Sequence, residues 1–151
     1  RYLLRMLLFA LVSEVPFDFA MGGKLLDWTR QNMLFTLAVG LIMLYGMKTF
    51  SASRVVQVLI AIAAVFWCAL MKTQFGLCMI LLIAVYYLLR DQKSKLWVGG
   101  VISLMYVTGP VSVFLLKRYN GQLGDGPNKY LFYCLYPLIL LILGVITYVI
   151  A

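Results

Sequence analysis

Residues 77–89 read LCMILLIAVYYLL, an unbroken apolar run without a single charge. A strand of a transmembrane barrel would alternate apolar with polar residues over about ten positions, and this run shows no such alternation. An α-helix satisfies its own backbone hydrogen bonds and therefore tolerates apolar surroundings on every side. The stretch therefore predicts a helix in an apolar environment and excludes a barrel strand.

The rest of the chain repeats this pattern in blocks. Hydrophobic residues make up 64% of the 151 residues, and the mean hydropathy is +0.98, whereas apolar residues form about half of a soluble domain. We therefore predict an all-α fold, a polytopic transmembrane bundle of about six helices that forms one transmembrane domain over residues 1–151. The apolar blocks cover residues 2–21, 33–47, 55–71, 75–89, 96–116 and 130–151.

The net charge and the first residues of the sequence indicate which molecules the protein contacts and whether helices precede this sequence. The chain begins with Arg1 and enters an apolar block without a signal-peptide pattern, so we expect further helices upstream. The net charge is +8, but Lys and Arg lie at block ends, which favours the lipid bilayer over nucleic acid as the partner. Alternate threading of six spans places Arg5 and Lys48 on one side and Lys72 and Lys129 on the other.

Cysteine and histidine usage excludes several kinds of site. Cys68, Cys78 and Cys134 lie inside apolar blocks without C-x-x-C spacing, which favours packing over a disulfide or a zinc site, and we predict no metal. The chain contains no histidine, so a Ser-His-Asp, Cys-His or His-metal centre cannot be built from these residues alone. Acid–base chemistry would need a carboxylate, a tyrosine, a lysine or a residue from outside the chain.

Two acids stand where acids are costly. Glu14 and Asp18 lie in the first apolar block, within the sequence SEVPFD at 13–18, and ionisable groups inside a membrane are candidates for function. Pro16 lacks an amide hydrogen, so we expect the helix to kink or end there. If the helix continues, the i, i+4 spacing puts both carboxylates on one face. Alternatively, Asp18 lies at the interface and Glu14 pairs with a cation of a neighbouring helix.

Other polar groups have both a structural and a functional interpretation. Asn32 is predicted to cap the second helix, and Thr108-Gly109-Pro110 predicts a kink in the fifth block. The loop YNGQLGDGP at 119–127 is rich enough in glycine to hold a phosphate, but it lacks the G-x-x-x-x-G-K-[ST] spacing, so a plain turn remains the alternative. Tyr133 fits an aromatic belt, whereas the hydroxyl of Tyr136 needs a partner if it is buried.

Four stretches together resemble the TraX family: SEVPFD at 13–18, NMLFTL at 32–37, YNG at 119–121 and YLFYCLYP at 130–137. Members are polytopic membrane proteins named for a conjugation protein that acetylates the amino terminus of the F-type pilin subunit, and they are counted among membrane acyltransferases. The resemblance implies transfer of an acetyl or similar acyl group from acetyl-CoA to an amine or hydroxyl acceptor. It further implies a peptide or envelope-glycan acceptor and a multi-pass location in the bacterial plasma (inner) membrane.

The resemblance also implies residue roles, with two departures from the family pattern. The expected catalytic residues are Glu14 and Asp18. The family usually has a histidine where Ile139 stands, and its usual upstream Asp-His element has no match here. The residues expected to bind substrate or cofactor are Asn32, Thr36, Lys117, Arg118, Tyr119, Asn120, Tyr133 and Tyr136.

Two other classes of function also fit the sequence. Kinked helices and buried acids describe a transporter or channel-like subunit as well as an enzyme. A structural partner in a secretion or conjugation complex is the third interpretation. Coenzyme A binding distinguishes the acyltransferase, solute flux in proteoliposomes distinguishes the transporter, and a structural partner would show neither.

Overall fold

The computed structural model describes residues 2–89, 91–105, 118 and 129–150. These residues form six helices and no strand, with a single isolated parallel bridge between Gln31 and Thr73. The all-α prediction is therefore confirmed. The helices are α1 (Tyr2–Gly22), α2 (Met33–Thr49), α3 (Arg54–Leu70), α4 (Gly76–Leu88), α5 (Gln92–Ser103) and α6 (Lys129–Ile150).

Helix starts follow local side-chain chemistry. The side chain of Asn32 accepts a hydrogen bond from the Leu34 amide and so caps α2, as the sequence predicts. Ser53 and Asp91 cap α3 and α5 in the same way. Each cap satisfies a backbone amide that has no partner inside its helix. Because Asp91 provides a cap, α5 begins four residues before the predicted apolar block.

Helix α1 continues through Pro16 to Gly22, so of the kink or end expected at the proline, the end is wrong and the alternative of a continuous helix is confirmed. A proline inside a helix removes one backbone hydrogen bond and crowds the preceding turn. Pro16 is buried, and α1 packs along both α2 and α6. We attribute the continuity of α1 to this packing, which outweighs the local cost of the proline.

A hydrophobic core joins α2, α3 and α4. Gly40 of α2 allows a close approach, because a Cβ there would lie 2.7 Å from the Cδ1 atom of Ile83 in α4. Cys68 belongs to this core. Cys68 and Cys78 are both buried free thiols. The buried members of the core are Met43, Met47, Ala64, Cys68, Ile80 and Ala84.

Helices α1 and α6 run parallel to each other. The ring of Phe9 stacks on Tyr133 with centroids 4.9 Å apart and an interplanar angle of 14°. Further along both helices, Phe19 contacts Gly144, and its ring centroid lies 6.3 Å from that of Tyr148. The contacts advance in the same direction on both helices, which only a parallel pair allows.

This parallel pairing corrects the alternate threading of six spans. That threading makes the first and last helices antiparallel and puts Arg5 and Lys129 at opposite ends, whereas the structure puts the starts of α1 and α6 at the same end. The alternate threading assumes that each apolar block crosses the bilayer once. The 12 residues of α5 extend about 18 Å, less than the roughly 30 Å of a bilayer's hydrocarbon core.

One described helix has the length and composition to cross a membrane. Its window Tyr133–Ile150 in α6 has a mean hydropathy of 2.3, and only 11% of it is buried. The apolar helices Met33–Thr49, Arg54–Leu70 and Gly76–Leu88 are shorter. The kink predicted at Thr108-Gly109-Pro110 lies outside the described residues.

Candidate functional site

Two carboxylates lie on the buried side of α1. Glu14 and Asp18 are only 6% and 4% exposed, and Ser13 is fully buried. Because α1 is continuous, residues four apart stand one above the other on the same face. Burial of two carboxylates costs free energy unless their oxygens accept hydrogen bonds. The chemistry available to the site therefore depends on which oxygens have a donor and which do not.

Asn32 connects the start of α2 to the middle of α1. Its side-chain amide donates to Oε2 of Glu14 and, over 2.8 Å, to the Ala10 carbonyl. Its backbone amide also donates to Glu14 Oε2, over 3.4 Å. Its Oδ1 accepts from the Leu34 amide over 2.9 Å. All polar atoms of the Asn32 side chain are therefore engaged, which makes Asn32 a residue that positions Glu14.

The second oxygen of Glu14 is different. Within the part of the chain that the structure describes, Glu14 Oε1 is buried and receives no hydrogen bond, and the same is true of the Ser13 hydroxyl. Helix α6 brings Tyr136 close to Glu14 and to the Met33 amide. The Tyr136 hydroxyl is buried and has no hydrogen-bond partner of ordinary geometry among the described residues. Buried polar atoms are nearly always paired, and the described residues supply no hydrogen-bond partner for Glu14 Oε1 or for the Tyr136 hydroxyl.

Asp18 holds the loop that follows α1. Its Oδ2 accepts from the Asp27 amide over 2.6 Å, which draws the loop 23–32 against the helix. Hydrogen bonds from Thr29, first from its side chain and second from its amide, lower the pKa of Asp27. A cavity of about 30 Å³ lies between Asp18, Asp27 and Arg30, large enough for about one water molecule.

The connection between α3 and α4 meets the same loop. The Gln31 amide donates to the Lys72 carbonyl over 3.4 Å, and the Gln74 amide donates to the Gln31 carbonyl over 2.8 Å. The Thr36 hydroxyl donates to the Gln74 carbonyl over 2.7 Å. Lys72 and Phe75 have the positive φ values 50° and 58°. Loop 23–32 and residues 71–75 therefore form one connected layer at this end of the protein.

The site lies below the end of α1. Glu14 is eight residues before the last residue of the helix, Gly22, a distance of about 12 Å along the helix axis. Asn32, which starts α2, contacts Glu14 at that level. The loop 23–32 descends alongside α1 to reach it. A reactant that reaches Glu14 from this end must therefore pass the connected layer.

The structure brings together some of the predicted site residues and separates others. Glu14, Asn32 and Tyr136 lie together, whereas Thr36 supports the connected layer and Tyr133 stacks on Phe9. Arg118 is exposed. Lys117, Tyr119 and Asn120 lie outside the described residues.

Sequence reasoning did not single out Ser13, whose buried hydroxyl has no hydrogen-bond partner among the described residues. The signal was available, because Ser13 precedes Glu14 in the SEVPFD stretch and a buried serine needs a partner. Among the residues that the structure describes, no group of three His, Cys, Asp or Glu side chains could hold a metal ion.

Across the residues that the structure describes, these features define an all-helical, strongly apolar protein with a buried carboxylate site and one helix long and apolar enough to cross a membrane. A family model described as TraX protein matches residues 1–147. The chain therefore belongs to the TraX family, as the resemblance in its sequence indicates. No curated protein and no solved structure gives a significant match.

Proposed function

We propose that the chain is a polytopic protein of the bacterial plasma membrane and that its helices form one transmembrane domain. Large apolar side chains cover the exposed face of α3. In water, exposure of these side chains would be unfavourable, whereas in lipid they would be in an apolar solvent. Helix α6 shows the same exposed apolar surface over most of its length. The most exposed large apolar residues of α3 are Val55, Leu59, Ile62, Phe66, Trp67 and Leu70.

Within this membrane domain we assign acyl transfer to the Glu14 site. The supporting observation is the asymmetry of the carboxylate, because Asn32 holds Oε2 while Oε1 is buried without a donor. A carboxylate held in this way can accept a proton at one fixed position. Family membership supports the assignment, since the resemblance implies an acyltransferase.

Each residue has a defined task in this mechanism. Glu14 Oε1 accepts the proton of an acceptor N–H or O–H as that group attacks the acyl carbon and becomes acylated. Glu14 would then give this proton to the thiolate that leaves the acyl donor, which would regenerate the carboxylate. The Tyr136 hydroxyl donates a hydrogen bond to the oxygen on which negative charge develops. Asn32 keeps the carboxylate from turning away during both proton transfers.

The acyl donor in this proposal is acetyl-CoA, which supplies an acyl group activated as a thioester. Its phosphates require cations, and Arg or Lys side chains provide them in most phosphate sites. The described residues fit such a donor in two respects: Lys24 and Arg30 on the loop 23–32 are cationic, and the buried Tyr136 hydroxyl, which can donate to an acyl oxygen, has no partner among them. Lys24 and Arg30 would hold the phosphates, together with Arg118 as the sequence predicts. The acceptor would be an amine or hydroxyl of a peptide or an envelope glycan.

The decisive experiment measures transfer of labelled acetyl groups from acetyl-CoA in membranes that contain the protein. We expect Glu14→Gln to reduce the rate by about 100-fold or more, because the amide cannot accept the proton. Asp18, which the sequence also suggests as catalytic, has a loop-holding role in this proposal, so Asp18→Asn is the matched variant: its Oδ1 can still accept from the Asp27 amide and hold the loop. We expect it to lose less than about tenfold, because in this proposal Asp18 makes no contact with the transition state.

Two results would overturn this proposal. Full activity of Glu14→Gln would remove the carboxylate from the mechanism. Solute flux in proteoliposomes, without coenzyme A binding, would replace acyl transfer by transport.

A further inference from the structure

An open groove lies beside the Glu14 site, with a volume of about 380 Å³. Leu11 lines it from α1, three residues before Glu14, and Gln31 lines it next to Asn32. The groove is therefore lined by close sequence neighbours of two residues of the Glu14 site, although Glu14 and Asn32 themselves do not line it. Its size falls within the range of about 300 to 1,000 Å³ that is usual for ligand sites.

The residues that line the groove are mostly apolar, and the charge among them is positive. Apolar side chains come from four places in the sequence: Leu11, Trp28, Phe35 and the pair Leu70 and Met71. Among the described lining residues, Lys72 alone is charged. An occupant that complements this surface has a hydrocarbon part and one anionic group.

Lys72 is held at the groove by its backbone. Its φ of 50° is a left-handed conformation that costs free energy for a residue with a Cβ. The Lys72 carbonyl accepts a hydrogen bond from the Gln31 amide, and this bond within the connected layer holds the left-handed backbone of Lys72 in place. Strained backbone of this kind is often found at ligand sites. Tryptophan and lysine are also the residue types that concentrate where hydrocarbon meets headgroups.

We propose that this groove binds one anionic phospholipid. Its phosphate lies at the Lys72 ammonium, and one acyl chain lies along Leu11, Phe35 and Leu70. Lipid, rather than a soluble phosphate compound, is favoured because most of the wall can be covered only by hydrocarbon. The inference rests on the membrane embedding proposed above but does not depend on acyl transfer.

The test compares lipid binding by the whole detergent-solubilised protein, measured by native mass spectrometry. The probes are phosphatidylglycerol, phosphatidylcholine with the same acyl chains, and inorganic phosphate. We expect the wild-type protein to prefer phosphatidylglycerol by about fivefold, the usual contribution of one lysine near a headgroup. We expect millimolar inorganic phosphate to leave the bound lipid in place.

Three variants identify the residue responsible. Lys72→Asn removes the charge and keeps a residue that tolerates the left-handed backbone, so we expect the preference to disappear. Lys72→Arg should retain the preference. Lys48→Asn removes an equal charge from the far end of α2 and should also retain it. Thermal unfolding of each variant shows whether the fold is intact.

The outcomes separate this inference from the proposed function. Equal binding of the two lipids by the wild type, an unchanged preference in a folded Lys72→Asn, or displacement by inorganic phosphate would each overturn the lipid site alone. Recovery of the folded protein in buffer without detergent would instead overturn the membrane embedding.

Discussion

Replacement of Asn32 by alanine removes three side-chain contacts from the junction of α1 and α2. The α2 cap is lost, together with the side-chain hydrogen bonds to Glu14 and to the Ala10 carbonyl. A cap contributes about 1 kcal/mol, and a hydrogen bond between helices of a membrane bundle averages about 0.6 kcal/mol. We therefore expect the free energy of unfolding to fall by about 2 kcal/mol.

Unfolding in mixed micelles with increasing sodium dodecyl sulfate, followed by circular dichroism, measures this change. Ser53→Ala is the matched control, because Ser53 caps α3 and its hydroxyl accepts from the Val56 amide over 3.4 Å. It should cost about 1 kcal/mol or less. If Asn32→Ala costs no more than Ser53→Ala, then Asn32 acts only as a cap, and the link that positions Glu14 contributes nothing to stability.

Two further predictions concern packing and pH. Gly144→Ala should lower the free energy of unfolding by about 1 to 3 kcal/mol in the same assay, because the new Cβ would overlap the ring of Phe19. Gly100→Ala has nothing within 4 Å of its new Cβ and should be neutral or gain up to about 1 kcal/mol; equal losses would contradict the α1–α6 contact. Hydrogen bonds from the Ser94 amide and then its side chain hold the pKa of Asp91 below its ordinary value of 3.8. The Asp91 cap is therefore intact above pH 3.8 and is lost as the pH falls through the lowered pKa. In that acidic range, amide hydrogen exchange in α5, corrected for the intrinsic rate, should become faster in the wild type. It should not become faster in Asp91→Asn, which has no carboxyl group to titrate.

Local features of the fold were predictable because local chemistry determines them. The apolar blocks locate α1, α2, α3, α4 and α6 to within two residues at each end. The capping role of Asn32 follows from its residue type and position. The early start of α5 follows from Asp91, whose cap signal lies outside the apolar block used for the prediction.

Features that depend on tertiary contacts could not be predicted. Asn32 reaches Glu14 across 18 positions, and no periodicity encodes such a distance. The continuity of α1 through Pro16 depends on its neighbours, which local rules for proline do not include. The proximity of Tyr136 to Glu14 depends on the direction of α6, which the alternation of spans predicts wrongly.

The shared direction of α1 and α6 also determines which sides of a membrane the start of α1 and the end of α6 would face. If both helices cross the bilayer, Tyr2 and Ile150 face different compartments, and no single soluble protein can hold both at once. Between them, the rings of Phe9 and Tyr133 and those of Phe19 and Tyr148 form a seam along most of the pair. Glu14 lies between Phe9 and Phe19 on α1, so the buried carboxylate lies at a level between these two ring pairs and is far from the headgroups on either side if α1 and α6 both span the bilayer.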